Sequence, residues 1–316
     1  MLLLRTVAAA GYIFVTPTPV THEKFLLRRR QAHGGSLRDV FGWNLPFPAD
    51  ALPPAVLAAA RQAGVAVTCG AELRSSVRIA SLDADLFLHS PFPTAQADAV
   101  FFGPDTYRFA RFIRMALAQC ALSGGALRVL DVGCGSGAGG IVAVRELTRR
   151  RGQSGISLIL NDINPHALGM AAVNAAFAGI GAVLAAGDAL AAVDGEFDLI
   201  ISNPPYMDDA AQRAYRHGGE RLGRALSVRI AADALKRLAP GGRLLLYTGV
   251  AFIDGADPFL AEVRPLLEDA GCDWSYDEID PDVFAEELDR PEYAHVERIA
   301  AVGLIATRRA GAAHAG

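Results

Sequence analysis

Cysteine is scarce in this chain. Four stand among 316 residues, at positions 69, 120, 134 and 272, and no two share a C-x-x-C spacing. That count excludes a disulfide framework and a structural zinc site, and it points to a reducing compartment. Long apolar runs are also missing, since no segment reaches the roughly 18 consecutive apolar residues of a membrane span. The opening Met1-Leu-Leu-Leu-Arg-Thr-Val places its short apolar run before the charge and no long apolar region follows, so it does not read as a secretory leader. A basic excess is absent too. Lys and Arg number 30 against 34 Asp and Glu, a formal net charge of -4, which argues against a broad electrostatic footprint on nucleic acid. What remains is 52% hydrophobic and 20% charged, enough apolar material for a sizeable core. The expectation is a cytoplasmic protein with no membrane partner and no metal, built of one main domain and a small companion.

The densest signal is Leu127-Arg-Val-Leu-Asp-Val-Gly-Cys-Gly-Ser-Gly-Ala-Gly-Gly140. Val129, Leu130 and Val132 around Asp131 suit a buried parallel strand. Glycines follow at 133, 135, 137, 139 and 140, and Ile141 to Leu147 reads as a helix. Strand, glycine turn and helix open a βαβ nucleotide-binding unit. Gly135, Gly137 and Gly140 fit the dinucleotide spacing G-x-G-x-x-G, so an NAD-dependent oxidoreductase is one reading. Asp131 turns the choice. At the carboxyl edge of the sheet its carboxylate repels a pyrophosphate but accepts a hydrogen bond from an ammonium, and S-adenosylmethionine carries an ammonium and no phosphate. The bland alternative is a glycine turn with no ligand.

More strand ends follow in order. Ile156 to Leu160 predicts a second strand running into Asn161-Asp162-Ile163-Asn164-Pro165, where an acid serves the hydroxyls of a nucleoside ribose or caps the helix starting at Pro165. Ala182 to Ala186 predicts a third, followed by Gly187-Asp188-Ala189. Phe197 to Ser202 predicts a fourth, with Asn203-Pro204-Pro205-Tyr206 at its end. The prolines fix φ and remove donors, which leaves the Pro204 carbonyl as an acceptor. The Asn203 side chain offers a second. Two acceptors at an angle suit the two hydrogens of a planar –NH2, and Tyr206 offers a ring face for stacking. Such a group orients nitrogen for in-line displacement and stabilises charge developing there. It has no role in hydride transfer, which weighs against the oxidoreductase. Upstream, Pro104-Asp105-Thr106 introduces a helix expected from Arg108 to about Ala121. Pro104 and Asp105 suit its first turn, and the helix start is placed to close over one end of a cofactor.

Asp131, Gly133, Gly135 and Gly137 fill the pattern D-x-G-x-G-x-G. With Asn203–Tyr206, the chain resembles the class I S-adenosylmethionine-dependent methyltransferases of the N-P-P-Y group. Within that group it is similar to the HemK/PrmC type, the protein glutamine N5-methyltransferases. Pro104-Asp105-Thr106 is similar to their P-x-D-T element, one residue tighter. Arg216-His-Gly-Gly-Glu-Arg-Leu-Gly-Arg224 resembles their G-G-x-x-G-R element, and Leu238 to Tyr247 their L-x-P-G-G turn into strand five. The likeness spans about residues 101 to 250. It implies a Rossmann-like fold and S-adenosylmethionine held by Thr106, Asp131, Gly133, Gly135, Gly137, Asp162, Ile163, Asp188, Ala189 and Asn203. It implies catalysis by Asn203, Pro204 and Tyr206. Three acceptors stand in order: a protein glutamine, a small amino-acid-like metabolite taking the methyl on N, S or O, and an adenine N6 in nucleic acid, because adenine presents a similar amine.

The expected fold class is α/β, a doubly wound, mostly parallel seven-stranded sheet over residues 101–316, with a small α+β domain over 1–100 that caps the site and chooses the substrate. In that first part, Leu37–Trp43 and Pro53–Gly64 read as short helices and Leu26–Arg30 as a solvated basic helix face. Ser76–Ala80 and Asp85–His89 read as paired strands. Toward the end, Val263–Gly271 reads as a helix, and Trp274–Ile279 with Arg298–Thr307 as an antiparallel pair at one sheet edge. The connection Asp280–Val296, with Phe284 and Tyr293, is a candidate wall of the acceptor pocket, and Ala310–Gly316 is expected to lack fixed structure.

Overall fold

The computed structural model describes residues 1–29, 33–119, 125–151, 155–209, 213 and 215–310. The chain begins with α1 (Leu2–Ala9), α2 (Pro19–Arg28) and a single π-helical turn at Arg38–Gly42, then α3 (Pro54–Gln62). Two antiparallel hairpins follow, β1 (Ala66–Cys69) with β2 (Glu72–Ser75), and β3 (Arg78–Leu82) with β4 (Asp85–His89). Leu4, Val7, Phe14, Phe41, Phe47, Val56 and Ile79 form the core of this part. The second hairpin is the one the sequence predicts, with β3 running from Arg78 to Leu82 instead of from Ser76 to Ala80. The first was not read, because β1 is exposed along most of its length and carries no alternation of apolar and polar residues.

The main sheet takes shape from β5 (Leu127–Val132), α5 (Ala138–Arg151), β6 (Ile156–Asp162), α6 (Pro165–Phe177), β7 (Ala182–Ala186) and β8 (Phe197–Ser202), preceded by α4 (Pro104–Ala118). It is completed by α7 (Ala225–Leu235), β9 (Leu238–Phe252), α8 (Pro258–Asp269), β10 (Cys272–Asp280) and β11 (Arg298–Arg308). Seven strands stand in the order β10-β11-β9-β8-β5-β6-β7. The five from β9 to β7 are parallel, and β10 and β11 add an antiparallel pair at the edge. This is the doubly wound sheet expected from the sequence. Successive residues of the central strands feed opposite faces. Leu199 and Ile201 join Phe109, Ile113 and Ile141 on one side, while Ile200 joins Ile230, Phe259 and Val263 on the other. Burial on both faces is why these strands read as continuous apolar runs.

Strand order reverses between β5 and β8, which pair in parallel with Val132 opposite Ser202. Connections from the two strands leave toward opposite sides and open a crevice at their carboxyl ends, the usual ligand position in such sheets. The loops that enter it begin at Gly133 and Asn203.

Three details differ from the sequence expectation. Helix α4 begins at Pro104 rather than Arg108, because Gly103 and Thr106 cap it reciprocally: the Gly103 amide donates to Thr106 Oγ1 at 3.3 Å, and the Thr106 amide to the Gly103 carbonyl at 2.9 Å. It ends at Ala118, and Ala121 lies outside the described residues, as do Arg30 and 311–316. The cap of α6 is Asn164, which accepts from the His166 amide at 2.9 Å, and not Asp162. No helix among the described residues is long and apolar enough to cross a membrane.

Candidate active site

A cleft of about 560 Å³ occupies the crevice and runs from Asp188 to Pro19 and Phe92 of the N-terminal part. Its floor is the glycine turn after β5. Asp131 is buried at the strand end, where Oδ2 accepts from the Gly140 amide at 2.7 Å. Burial pushes its carboxyl up to about 7; the Gly140 hydrogen bond opposes this and the charge of Asp162 adds to it. Gly133, Gly135 and Gly137 all have left-handed φ, 66°, 52° and 77°. At Gly135 this conformation aims the amide at Asp162 Oδ2, 2.8 Å away. Asp162 Oδ1 takes the Asn164 amide at 2.9 Å, so one carboxylate ties the glycine turn to the end of β6. Burial raises the Asp162 carboxyl above the usual range, against the pull of those amides.

Beside this floor stands the Asn203–Tyr206 turn. Asn203 and Pro204 line the cleft, and the Asn203 side chain has no hydrogen-bond partner among the described residues. Tyr206 is only 7% exposed. Its ring packs so closely on the backbone of β9 that a Cβ at Gly249 would lie 2.2 Å from it. The turn is held from behind by the segment before α7. Met207 and His217 form a parallel bridge, with the Gly218 amide donating to the Met207 carbonyl at 2.8 Å. A Cβ at Gly218 would stand 2.6 Å from the Pro205 carbonyl oxygen and 1.9 Å from that of Gly223. The glycines of the G-G-x-x-G-R element thus let one backbone lie flat against another.

The sequence presents Asp105 as a first-turn acid within the Pro104-Asp105-Thr106 element that closes over the cofactor. In the structure it is a buried junction. Tyr206 Oη donates to Asp105 Oδ2, Tyr247 Oη donates to Oδ1 at 3.1 Å, and Arg108 Nη1 donates to Oδ1 at 3.1 Å. Arg108 reaches on to Asp280 at 2.8 Å. Burial pushes the Asp105 carboxyl up to about 6, opposed by the charge of Arg108 and by the Tyr247 hydrogen bond. Thr106 lines the cleft beside it while its hydroxyl caps α4.

Three segments distant in sequence meet at the Tyr206 end of the cleft. Tyr215 stacks on Phe101 with ring centroids 6.0 Å apart and donates its hydroxyl to the Thr94 carbonyl at 2.7 Å. Tyr293 Oη accepts from the Asp208 amide at 2.9 Å, and Arg216 pairs with Glu287. Phe284 meets Tyr206 edge-on, centroids 6.0 Å apart. The expectation that 280–296 approaches the pocket therefore holds for Phe284, which lines it, whereas the buried Tyr293 braces the loop after Tyr206. Phe101, Tyr215 and Arg216 carry no local motif, and only the fold brings them together.

Asp131, Gly133, Gly135, Asp162, Ile163, Asp188, Ala189 and Asn203 all line one cleft, so the structure gathers nearly every candidate cofactor residue. Gly137 sits one step behind, facing Ala171 of α6. The Asp188 carboxylate is already paired with Arg229 through two bonds of 2.7 Å, so that site offers backbone and the neighbouring Ala189 rather than a free acid. The donor set fits a sulfonium nucleoside bearing an amino acid. Asp131 is a buried carboxylate short of a cation, Asp162 has lone pairs left for hydroxyls, and Ile163, 63% exposed, presents a flat apolar surface for a purine. No cluster suited to a metal ion occurs among the described residues.

Comparison with known proteins agrees with this geometry. Residues 115–251 match the family model "Methyltransferase small domain". A release factor glutamine methyltransferase of Cereibacter sphaeroides is 38% identical over 150 residues, 43% of this chain and 51% of that protein. One from Rhodospirillum rubrum is 34% identical over 198 residues, 60% of this chain and 57% of that protein. A ribosomal RNA small subunit methyltransferase C of Escherichia coli is 34% identical over 113 residues, 34% of this chain and 31% of that protein. The chain spans about half the length of the glutamine methyltransferases it matches. Its sheet and glycine turn, together with these comparisons, mark the matched segment as a methyltransferase domain similar to the HemK/PrmC type of class I methyltransferase, with S-adenosylmethionine as its cofactor.

Proposed function

We propose that this enzyme transfers the methyl group to a planar nitrogen, that of a glutamine-type amide in a protein acceptor. The cofactor supplies an electrophilic methyl on sulfur, and the chain supplies orientation. The observation that carries the reading is the Asn203–Pro204 pair. One side-chain oxygen, without a hydrogen-bond partner among the described residues, and one proline carbonyl stand at the end of β8, beside the Asp131 turn. Two fixed acceptors hold both hydrogens of an –NH2 and leave its lone pair for displacement. As charge develops on nitrogen, the same oxygens stabilise it, and no strong base is required. Thr106, Asp131, the 133–137 turn, Asp162, Ile163, Asp188 and Ala189 hold the cofactor. The first hundred residues contribute Pro19, Phe92 and Thr94 to the cleft and restrict the acceptor.

A second reading is nucleic-acid nitrogen, favoured by the likeness over 113 residues to a protein named for ribosomal RNA methylation. One experiment decides. Host lysate is incubated with enzyme and methyl-labelled S-adenosylmethionine, then split into protein, nucleic acid and small molecules. Label on glutamine in the protein fraction is the expected result. Label confined to nucleic acid establishes the second reading, and label confined to small molecules defeats both.

A further inference from the structure

We propose that Asp105 is a positioning residue for the methyl acceptor: it fixes the Tyr206 ring through the phenolic hydroxyl and links that ring to the seating of the 281–297 segment. The role for the acceptor rests on the nitrogen-transfer reading; the contact with Tyr206 does not.

A helix cap does not explain this side chain, because Gly103 and Thr106 already cap α4 and no backbone amide of the first turn donates to Asp105. The carboxylate instead lies 5% exposed and is bonded by groups from three segments. Its Oδ2 is given to Tyr206, from the turn after β8, and its Oδ1 to Tyr247, from β9, and to Arg108, from its own helix. Arg108 also holds Asp280, the last residue of β10 and the start of the long connection that carries Phe284. Phe284 returns to the edge of the Tyr206 ring. A closed path results, Tyr206 to Asp105 to Arg108 to Asp280 to the connection to Phe284 and back. Each step is a direct contact except the stretch of chain from Asp280 to Phe284.

Burying a carboxylate is costly unless its hydrogen bonds are filled, and here two phenols and a guanidinium fill them. Burial keeps the Tyr247 hydroxyl protonated, so it remains a donor. When Asp105 is ionised it accepts from both tyrosines at once. When protonated it carries an O–H that must itself donate, and one phenol loses its partner. The Tyr206 ring is then held only by its packing on Gly249 and Phe284. The ionisation of Asp105, its pKa raised to about 6 by burial, with the charge of Asp280 adding to this and Arg108 and Tyr247 opposing it, thus controls how firmly the ring stands.

The test begins without an acceptor. Protein labelled with 13C at tyrosine Cζ is titrated from about pH 4.5 to about pH 8, a range that spans carboxyl ionisation. The Tyr206 signal is assigned with Tyr206→Phe. Tyr206 and Tyr247 are expected to shift together with an inflection near pH 6 that Asp105→Asn removes. A Tyr206 signal that is flat in the wild type and unmoved by Asp105→Asn overturns the proposal. Kinetics follow with the fraction that takes label. Asp105→Asn should lower kcat by about tenfold or more and leave S-adenosylhomocysteine affinity within about twofold, with Asp105→Glu recovering part of the loss. An unchanged kcat in a folded Asp105→Asn protein overturns the role. A wild type that labels nothing defeats the nitrogen-transfer reading alone and leaves the titration to decide on Asp105.

Discussion

At the scale of the residue, the proposed function gives two side chains in the cleft different work, so their variants should fail differently. Among the described residues the Asn203 side chain has no hydrogen-bond partner, so its removal breaks no hydrogen bond there. Asn203→Ala should lower kcat by roughly 10²-fold or more with cofactor affinity nearly unchanged, because the lost hydrogen bond strengthens only as charge develops. Calorimetry beside turnover at saturating cofactor checks this; a variant that binds poorly and turns over normally contradicts it. Asp131 should show the reverse. Its folded pKa of about 7 lies above the ordinary carboxyl value, so its contribution to stability is fully present below about pH 4 and is lost as pH rises through 7. A bound ammonium favours the ionised form and pulls the pKa back down. Binding of S-adenosylhomocysteine should therefore release a proton below pH 7 and tighten as pH rises toward 7, with little change beyond. Titrations at about pH 6 in buffers of different ionisation enthalpy count that proton. Asp131→Asn should abolish the release; an unchanged proton count places the titration elsewhere.

At the scale of the element, glycine at 218 decides whether the N-P-P-Y corner can be supported. The added methyl of Gly218→Ala would lie 1.9 Å from one carbonyl oxygen and 2.6 Å from another, both backbone, so the strand of chain behind Tyr206 must move. Overpacking of this kind costs about 1–3 kcal/mol, and the displaced corner should also lose turnover. Gly169→Ala is the control: it lies within α6, where an added methyl meets nothing, and it should stabilise by about 0.5–1 kcal/mol. Denaturant melts of the two variants should move in opposite directions. This corner also shows what was legible in the sequence. Strands β5, β6 and β8 were readable because burial on both faces demands apolar runs, and their ends were readable because the chemistry sits in consecutive residues. Asp105 was not, because Pro104-Asp105-Thr106 already makes sense as a helix start. Its other partners, Tyr206 and Tyr247, stand 101 and 142 residues away. The contact from Tyr215 to Thr94 crosses 121 residues and leaves no local periodicity.

At the scale of the molecule, the question is how the first hundred residues are joined to the sheet that carries the cofactor. Ala80, Leu82 and Phe87 of the second hairpin pack in the same core as Phe109, Ile113 and Val129, and Arg145 of α5 forms a two-pronged ion pair with Asp85. The tightest link is Asn174 of α6, 1% exposed. Its oxygen accepts from the Leu88 amide at 2.8 Å, and its amide nitrogen donates to the Leu88 carbonyl at 3.1 Å and to the Ser136 carbonyl at 2.9 Å. One side chain thus pairs with a strand of the N-terminal part as a neighbouring strand would, and at the same time pins the glycine turn. Asn174→Ala leaves three backbone groups without this partner, the buried Ser136 carbonyl and the half-buried amide and carbonyl of Leu88. At about 1–3 kcal/mol for each unsatisfied group, partly relieved by relaxation, the loss should reach about 3 kcal/mol. Because Ser136 lies in the turn, cofactor affinity should fall with it. Arg145→Ala removes a link whose guanidinium side chain is 52% exposed, and it should cost less and leave the turn undisturbed. Melting curves with and without S-adenosylhomocysteine separate the two. Equal stabilisation by ligand in Asn174→Ala and wild type would show that the N-terminal part is fastened to the sheet without any hold on the cofactor turn.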